Sequence, residues 1–220
     1  MLRMLWRKKV LVVFLAALLI LFPAASVKPA QALSKNIFLS VGIEKSADGF
    51  TVMGVPMSGS GSSGGAEKTK LVTADGATIE AAFAQITANS GREVSLAHCN
   101  SIILGASLAA ENVAAILKYF IEKFEISNNA LLIWTDALVE KVLETSFAAG
   151  SDSPGGLVET IAAYNQETLF KRPLTLDKFY KDYLKGRDGY MSAVVLTDDE
   201  LRNTKQLAAF AGGVFKGLTE

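Results

Sequence analysis

His98 and Cys99 are the residues to test first for chemistry, as the single histidine and single cysteine of the 220-residue chain. An imidazole titrates near neutrality and a thiolate is a strong nucleophile, so the pair could in principle act as base and nucleophile. Adjacent residues on an extended segment point to opposite faces, however, which holds the two groups apart. No Gly-x-Ser-x-Gly elbow or Ser-His-Asp pattern is present to supply another nucleophile. The expectation is a histidine at a strand edge and a small buried thiol. One cysteine also forms neither an internal disulfide nor a cysteine metal cluster.

The carboxylates give no stronger signal. Glu140 and Glu144 are four residues apart on one helix with Lys141 beside them, the pattern of a solvated face. Asp198-Asp199-Glu200 is an acidic turn that lacks the glycine a calcium loop carries at its sixth position. Tyr180, Tyr183 and Tyr190 could offer an aromatic surface, but the first two fall on an apolar helical stripe. Trp134 closes a buried strand, which points to packing. The run Ser58-Gly-Ser-Gly-Ser-Ser-Gly-Gly65 holds no Gly-x4-Gly-Lys-Ser/Thr, and no apolar helix opens directly after it. It reads as a flexible hairpin tip. No catalytic, cofactor-binding or metal-ligating residue is expected, and no cofactor.

The elements that would position such residues are better defined. Ile79, Ala82, Phe83 and Ile86 lie at i, i+3, i+4 and i+7, which predicts a helix with one apolar stripe, stopped at Asn89-Ser90-Gly91. Ser101–Leu104, closed by Gly105, has the length and branching of a buried strand. Upstream, Ile37–Lys45 and Phe50–Met57 read as strands joined by Ala47-Asp48-Gly49, because Asp-Gly supplies the backbone freedom of a tight turn. Lys68–Thr73 is the next strand. A long helix follows with Val113, Ile116, Leu117, Phe120, Ile121 and Phe124 on its stripe, ending at Asn128-Asn129. Ala130–Trp134 is another buried strand, and Thr135-Asp136 caps a helix bearing Leu138, Val139, Val142 and Leu143. After a loop at 150–156 come helices over Leu157–Phe170 and Thr175–Lys185. The second of these carries Leu176, Phe179, Tyr180, Tyr183 and Leu184 on its stripe. Met191–Leu196 is a strand. Strands alternating with helices behind an opening hairpin predict an α+β or mixed α/β fold: a mixed sheet with several helices packed on it.

Charge and hydropathy divide the chain. Five basic residues (Arg3, Arg7, Lys8, Lys9, Lys28) and no acidic ones fall in 1–32, which leaves the body with a net charge of −5. An acidic body argues against nucleic acid as a partner. The basic start, the apolar run Val10–Phe22 and the small-x-small Ala30-Gln31-Ala32 stand in the order of a signal peptide. Residues 1–32 are therefore a signal peptide or an N-terminal anchor, and the body lies outside the cytoplasm.

Several of these segments resemble the Ger(x)C spore germination proteins, the C subunits of nutrient germinant receptors. "Val41-Gly-Ile-Glu-Lys45" is similar to the Ile-Gly-Ile-Asp-Lys of that family. His98–Gly105 resembles its Gly-His-x-x-Val-Ile-Val-Ile-Gly segment, and Phe179–Asp188 the helix that ends in Ser-Pro-Gly-Arg-Asp/Ser. Gln206–Glu220 resembles a stretch that opens the second domain in full-length members. The resemblance divides the chain into 1–32, a Ger(x)C-like N-terminal domain at 33–196, and a remnant or start of a second domain at 197–220. That last stretch would fold back on the body or hang from it. The resemblance implies a non-enzymatic, membrane-associated receptor subunit acting in spore germination. It would lie at the outer face of the cytoplasmic (inner spore) membrane, with integral-membrane subunits of the A and B types and the membrane surface as partners. No cysteine near the signal forms a lipobox, so a lipid anchor is not implied.

A reading from another class is an exported small-molecule-binding protein with its ligand at the strand ends near Gly105 and Asp136. A secreted hydrolase is a third, set aside because no nucleophile motif is present.

Overall fold

The opening hairpin fixes the register of one side of the sheet. β1 (Lys35–Ser46) and β2 (Gly49–Pro56) pair antiparallel, with Ser46 opposite Gly49 across a two-residue turn. A Cβ on Gly49 would lie 2.2 Å from the Gly76 carbonyl oxygen, so a residue with a side chain would force the neighbouring strand away. That neighbour is β3 (Val72–Gly76), paired from Phe50 opposite Gly76 to Gly54 opposite Val72. The third strand thus ends later than the expected Lys68–Thr73, of which 68–70 lie outside the described residues, because its pairing with the hairpin sets its position. The computed structural model describes residues 35–57, 71–148 and 156–219. The signal-like segment at 1–32, the Gly/Ser run at 58–65 and nearly all of the loop at 150–156 lie outside them.

α1 (Ile79–Ser90) starts where Thr78 accepts a hydrogen bond from the Ala81 amide and stops at Gly91 in the left-handed region. After the short β4 (Glu93–Ser95), β5 (Ser101–Gly105) pairs parallel to β1. α2 (Val113–Lys123), capped by Asn112, leads to β6 (Leu131–Thr135), parallel to β5. α3 (Val139–Ala148), α4 (Gly156–Tyr164) with a π-turn over Asn165–Leu169, and α5 (Leu176–Leu184) precede β7 (Gly189–Thr197), parallel to β6. β8 (Glu200–Ala211) and β9 (Val214–Thr219) complete the sheet as an antiparallel meander. The order is β3-β2-β1-β5-β6-β7-β8-β9, with β4 beside β1. It is the expected mixed sheet with helices on it. The stretch 197–220, expected as a remnant or the start of a second domain, contributes β8 and β9 to this same sheet.

Alternation along the central strands builds two cores. Ile102, Leu104, Leu132 and Trp134 pack with Phe83 and Ile86 of α1, Leu117 and Phe120 of α2, and Leu176 and Phe179 of α5. Ile103 and Ile133 point the other way, onto Val139, Val142 and Leu143 of α3 and Val158 and Ala162 of α4. Strands covered on both faces read as unbroken apolar runs, as Ile102–Leu104 does.

Three local expectations are corrected. α2 ends at Lys123 rather than at Asn128-Asn129: Phe124 is extended, and its ring lies 4.8 Å from that of Phe83. Leu138 precedes α3 and is exposed, so it is no part of that helix's buried stripe. On α5, Leu184 of the expected stripe is 65% exposed while Asp182, which lay outside that stripe, is buried, since ion pairing lets a carboxylate sit against the core.

Candidate functional site

At the C-terminal ends of β5 and β6, the place a small ligand would take in the binding-protein reading, the chain fills the space with its own groups. The Val139 amide donates to Glu44 Oε1 at 2.9 Å, so a carboxylate from β1 caps the N-terminus of α3. Negative charge is favoured there because the first amides of a helix have no intrahelical acceptor. Thr135 contributes only a local bond, its Oγ1 accepting from the Ala137 amide at 3.2 Å. The approach is close: a Cβ on Gly42 would stand 2.3 Å from Val139 Cγ1, and one on Gly105 would stand 3.0 Å from Glu44 Cγ. The parallel strands β1-β5-β6-β7 also run in chain order without a reversal, so the crevice of a topological switch point is not formed.

A second polar group lies inside the sheet face covered by α3 and α4. Ser40 and Ser101 hydroxyls are 2.8 Å apart, and Ser40 Oγ donates to Glu159 Oε1 at 3.3 Å. Glu159 is 7% exposed. Burial pushes its carboxyl above the usual glutamate range, and the hydrogen bonds from Ser101 and Ser40 hold it only partly back. On the same side of the sheet, Asn165 donates from Nδ2 to Ser192 Oγ at 2.7 Å and accepts from the Asn203 side-chain amide. The Ser146 hydroxyl accepts from the Val158 amide at 2.9 Å, tying α3 to α4. A serine next to a carboxylate suggests a nucleophile and its base. Here both are sealed beneath a helix, so the cluster fixes α4 on the sheet. The sequence reading missed these residues. Their signal was single polar residues inside apolar strands, in Phe38-Leu-Ser-Val, Ser101-Ile-Ile and Met191-Ser-Ala.

The residues singled out for chemistry are not brought together. His98 is exposed, whereas Cys99 is fully buried and donates from Sγ to the Ser101 carbonyl at 3.2 Å. Burial pushes its thiol up to about 12, far from thiolate chemistry at neutral pH. Glu140 and Glu144 are solvated. Asp198 and Asp199 both have positive φ and form the turn between β7 and β8, with Glu200 paired to Arg202 at 3.1 Å. Trp134 stacks on Phe215 with centroids 4.6 Å apart and meets Phe210 edge-on. Tyr180 and Tyr183 stack on each other, while Tyr190 lies under the Arg172 guanidinium at 4.2 Å. Among the described residues, no group of three or more His, Cys, Asp or Glu is placed to hold a metal ion.

A third charged group sits on α5. Asp182 is buried and accepts from Lys178 Nζ; Arg187 Nη2 reaches its other oxygen at 2.5 Å. Burial alone would raise this carboxyl, but the Lys178 hydrogen bond and the charges of Lys178, Arg187 and Arg172 outweigh it and hold it below the usual range.

Residues 34–196 match the sequence model of a family described as the spore germination protein N-terminal domain. No curated protein matches the chain. Among solved structures it is similar to the crystal structure of the GerBC protein, with 14% identity and a TM-score of 0.41 over 81% of this chain. The chain spans about half of that one, 51% of its length.

Proposed function

We infer the role of this chain from its family: it belongs to the Ger(x)C spore germination proteins, through their N-terminal domain at 34–196. On that premise it acts as an exported, membrane-associated C-type subunit of a nutrient germinant receptor. It works at the outer face of the cytoplasmic (inner spore) membrane with integral-membrane subunits of the A and B types. The basic, apolar and small-residue order of 1–32 supports export. Among the described residues no helix is long and apolar enough to cross a membrane. Its role is non-enzymatic: the opposite placement of His98 and Cys99 supports transmission or assembly rather than bond-making. The binding-protein alternative loses support at the strand ends, where Glu44 already occupies the helix N-terminus.

The match over 34–196 carries this reading. Its test is an in-frame deletion of the gene, with spores challenged by single nutrients and followed by loss of refractility. The deletion is expected to abolish the response to at least one nutrient, with recovery when the gene is restored. Wild-type germination on every nutrient would overturn the reading.

A further inference from the structure

The strongest departure from the body's acidic character lies on α5 and its flanks. From Lys171 to Asp188 there are six basic residues (Lys171, Arg172, Lys178, Lys181, Lys185, Arg187) against Asp177, Asp182 and Asp188, a net of +3. Because residues 33–220 carry −5 in all, the rest of the body carries −8. The excess charge is local in space as well as in sequence. Arg172, Lys178 and Arg187 all act on the single carboxylate of Asp182, which compensates one of the three. Lys181 pairs with Asp177 at 2.8 Å and stays 62% exposed, and Lys185 stands exposed one turn beyond it.

Set among these cations is an exposed apolar group. Leu184 is 65% exposed, on the side of α5 opposite Phe179 and next to the half-buried Tyr180. The inner side of the helix is fixed by Leu176 and Phe179, and the Phe179 ring lies 5.4 Å from that of Phe210. A rigid helix thus presents an apolar tip bordered by lysines and arginines, next to an aromatic ring. Such a face gains twice at a lipid interface, by burying hydrocarbon and by placing cations in a negative surface potential.

We propose that this outer face of α5 docks on an anionic lipid surface, with Lys181, Lys185 and Arg187 over the headgroup phosphates and Leu184 entering the interface. The acidic remainder is repelled by the same surface, so the charge asymmetry also sets the orientation. This rests on the membrane-associated reading above and names the part of the body that meets the lipid.

The test uses the full chain and sedimentation with vesicles of phosphatidylcholine alone or mixed with phosphatidylglycerol, at low and high salt. The N-terminal segment is common to all variants, so differences between variants isolate α5. Lys181→Glu with Lys185→Glu should lower the binding gained from phosphatidylglycerol by about tenfold or more at low salt, with little difference left at high salt. Leu184→Ser should lower binding to the anionic vesicles at both salt concentrations. Lys118→Glu with Lys123→Glu, the same charge change on α2, should stay within about twofold of wild type. Unchanged binding in the α5 variants, or an equal loss in the α2 control, overturns the proposal. So does an α5 variant that binds vesicles normally but no longer co-purifies with integral-membrane subunits, which would make the face a protein contact. Circular dichroism of each variant separates lost docking from lost folding. A deletion strain that germinates normally would remove the receptor reading whatever the vesicles show, whereas failed vesicle binding with a germination defect would remove only the lipid contact.

Discussion

A buried carboxyl behaves differently from the solvated ones that spacing first draws attention to. Glu159 keeps its proton to a higher pH when folded than when unfolded, because burial disfavours the charged form. The folded state then binds more protons than the unfolded chain between the ordinary glutamate value and the raised one, so stability falls as pH rises through that window. Glu159→Gln keeps an acceptor for Ser40 and removes the charge. It should leave the melting temperature nearly unchanged at pH 4 and raise it at pH 7, by about 2–4 °C for each kcal/mol gained. Thermal melts at the two pH values decide this; an equal shift at both would show that the charge is not what the site resists. Cys99 and His98 show how far residue type alone can mislead. Each is the sole member of its kind; His98 lies in the exposed turn ahead of β5, not at the expected strand edge, and Cys99 next to it enters the core.

Helices in this fold are secured by contacts that come from outside them. Four aromatic rings lock α1 to α2: Phe83, Tyr119, Phe120 and Phe124 have centroids 4.8 to 6.3 Å apart. Phe83→Ala and Phe120→Ala should each cost ~3–5 kcal/mol in urea unfolding. The double variant should cost less than their sum, since both empty one cavity. Near-neutral results for both would mean that these helices do not pack through those faces. At α3 the cap comes from β1, and Glu44→Ala should cost about 0.5–2 kcal/mol while Glu44→Gln, which keeps an acceptor, should cost less. If the two variants unfold at the same urea concentration, the hydrogen bond to Val139 contributes nothing.

Over the whole molecule, the sheet continues past the family match, which ends at 196, into β8 and β9. Leu207, Ala208 and Phe210 are buried, and Phe210 and Phe215 both pack on Trp134. Amide exchange across 207–210 should therefore be as slow as in β7, with β9 faster because one of its edges has no neighbouring strand. Rapid exchange over 207–210 would detach the meander from the sheet. The placement also gives Trp134 its role: its ring is sandwiched in packing contacts, with 3% exposed.

The amino-acid sequence by itself determined the hairpin, the α1 and α2 stripes, the buried strands β5, β6 and β7 and the order of the elements from β1 to β7 apart from the short β4. Those features depend on local spacing, turn residues and apolar runs, as the stop of α1 at Gly91 shows. The acidic balance of the body and the family resemblance were legible there too. Only the tertiary structure decided the sheet order, the limits of β3 and α2, and the pairing of 200–219. Strand pairing is set by partners far apart in the chain: Ser40 meets Ser101, Glu44 meets Val139, and Ser192 meets Asn165. A polar residue inside an apolar strand marks that something must satisfy it. Which residue does so is known only once the chain has folded, because a buried hydrogen bond needs its partner within about 3 Å, a distance that no spacing along the chain specifies.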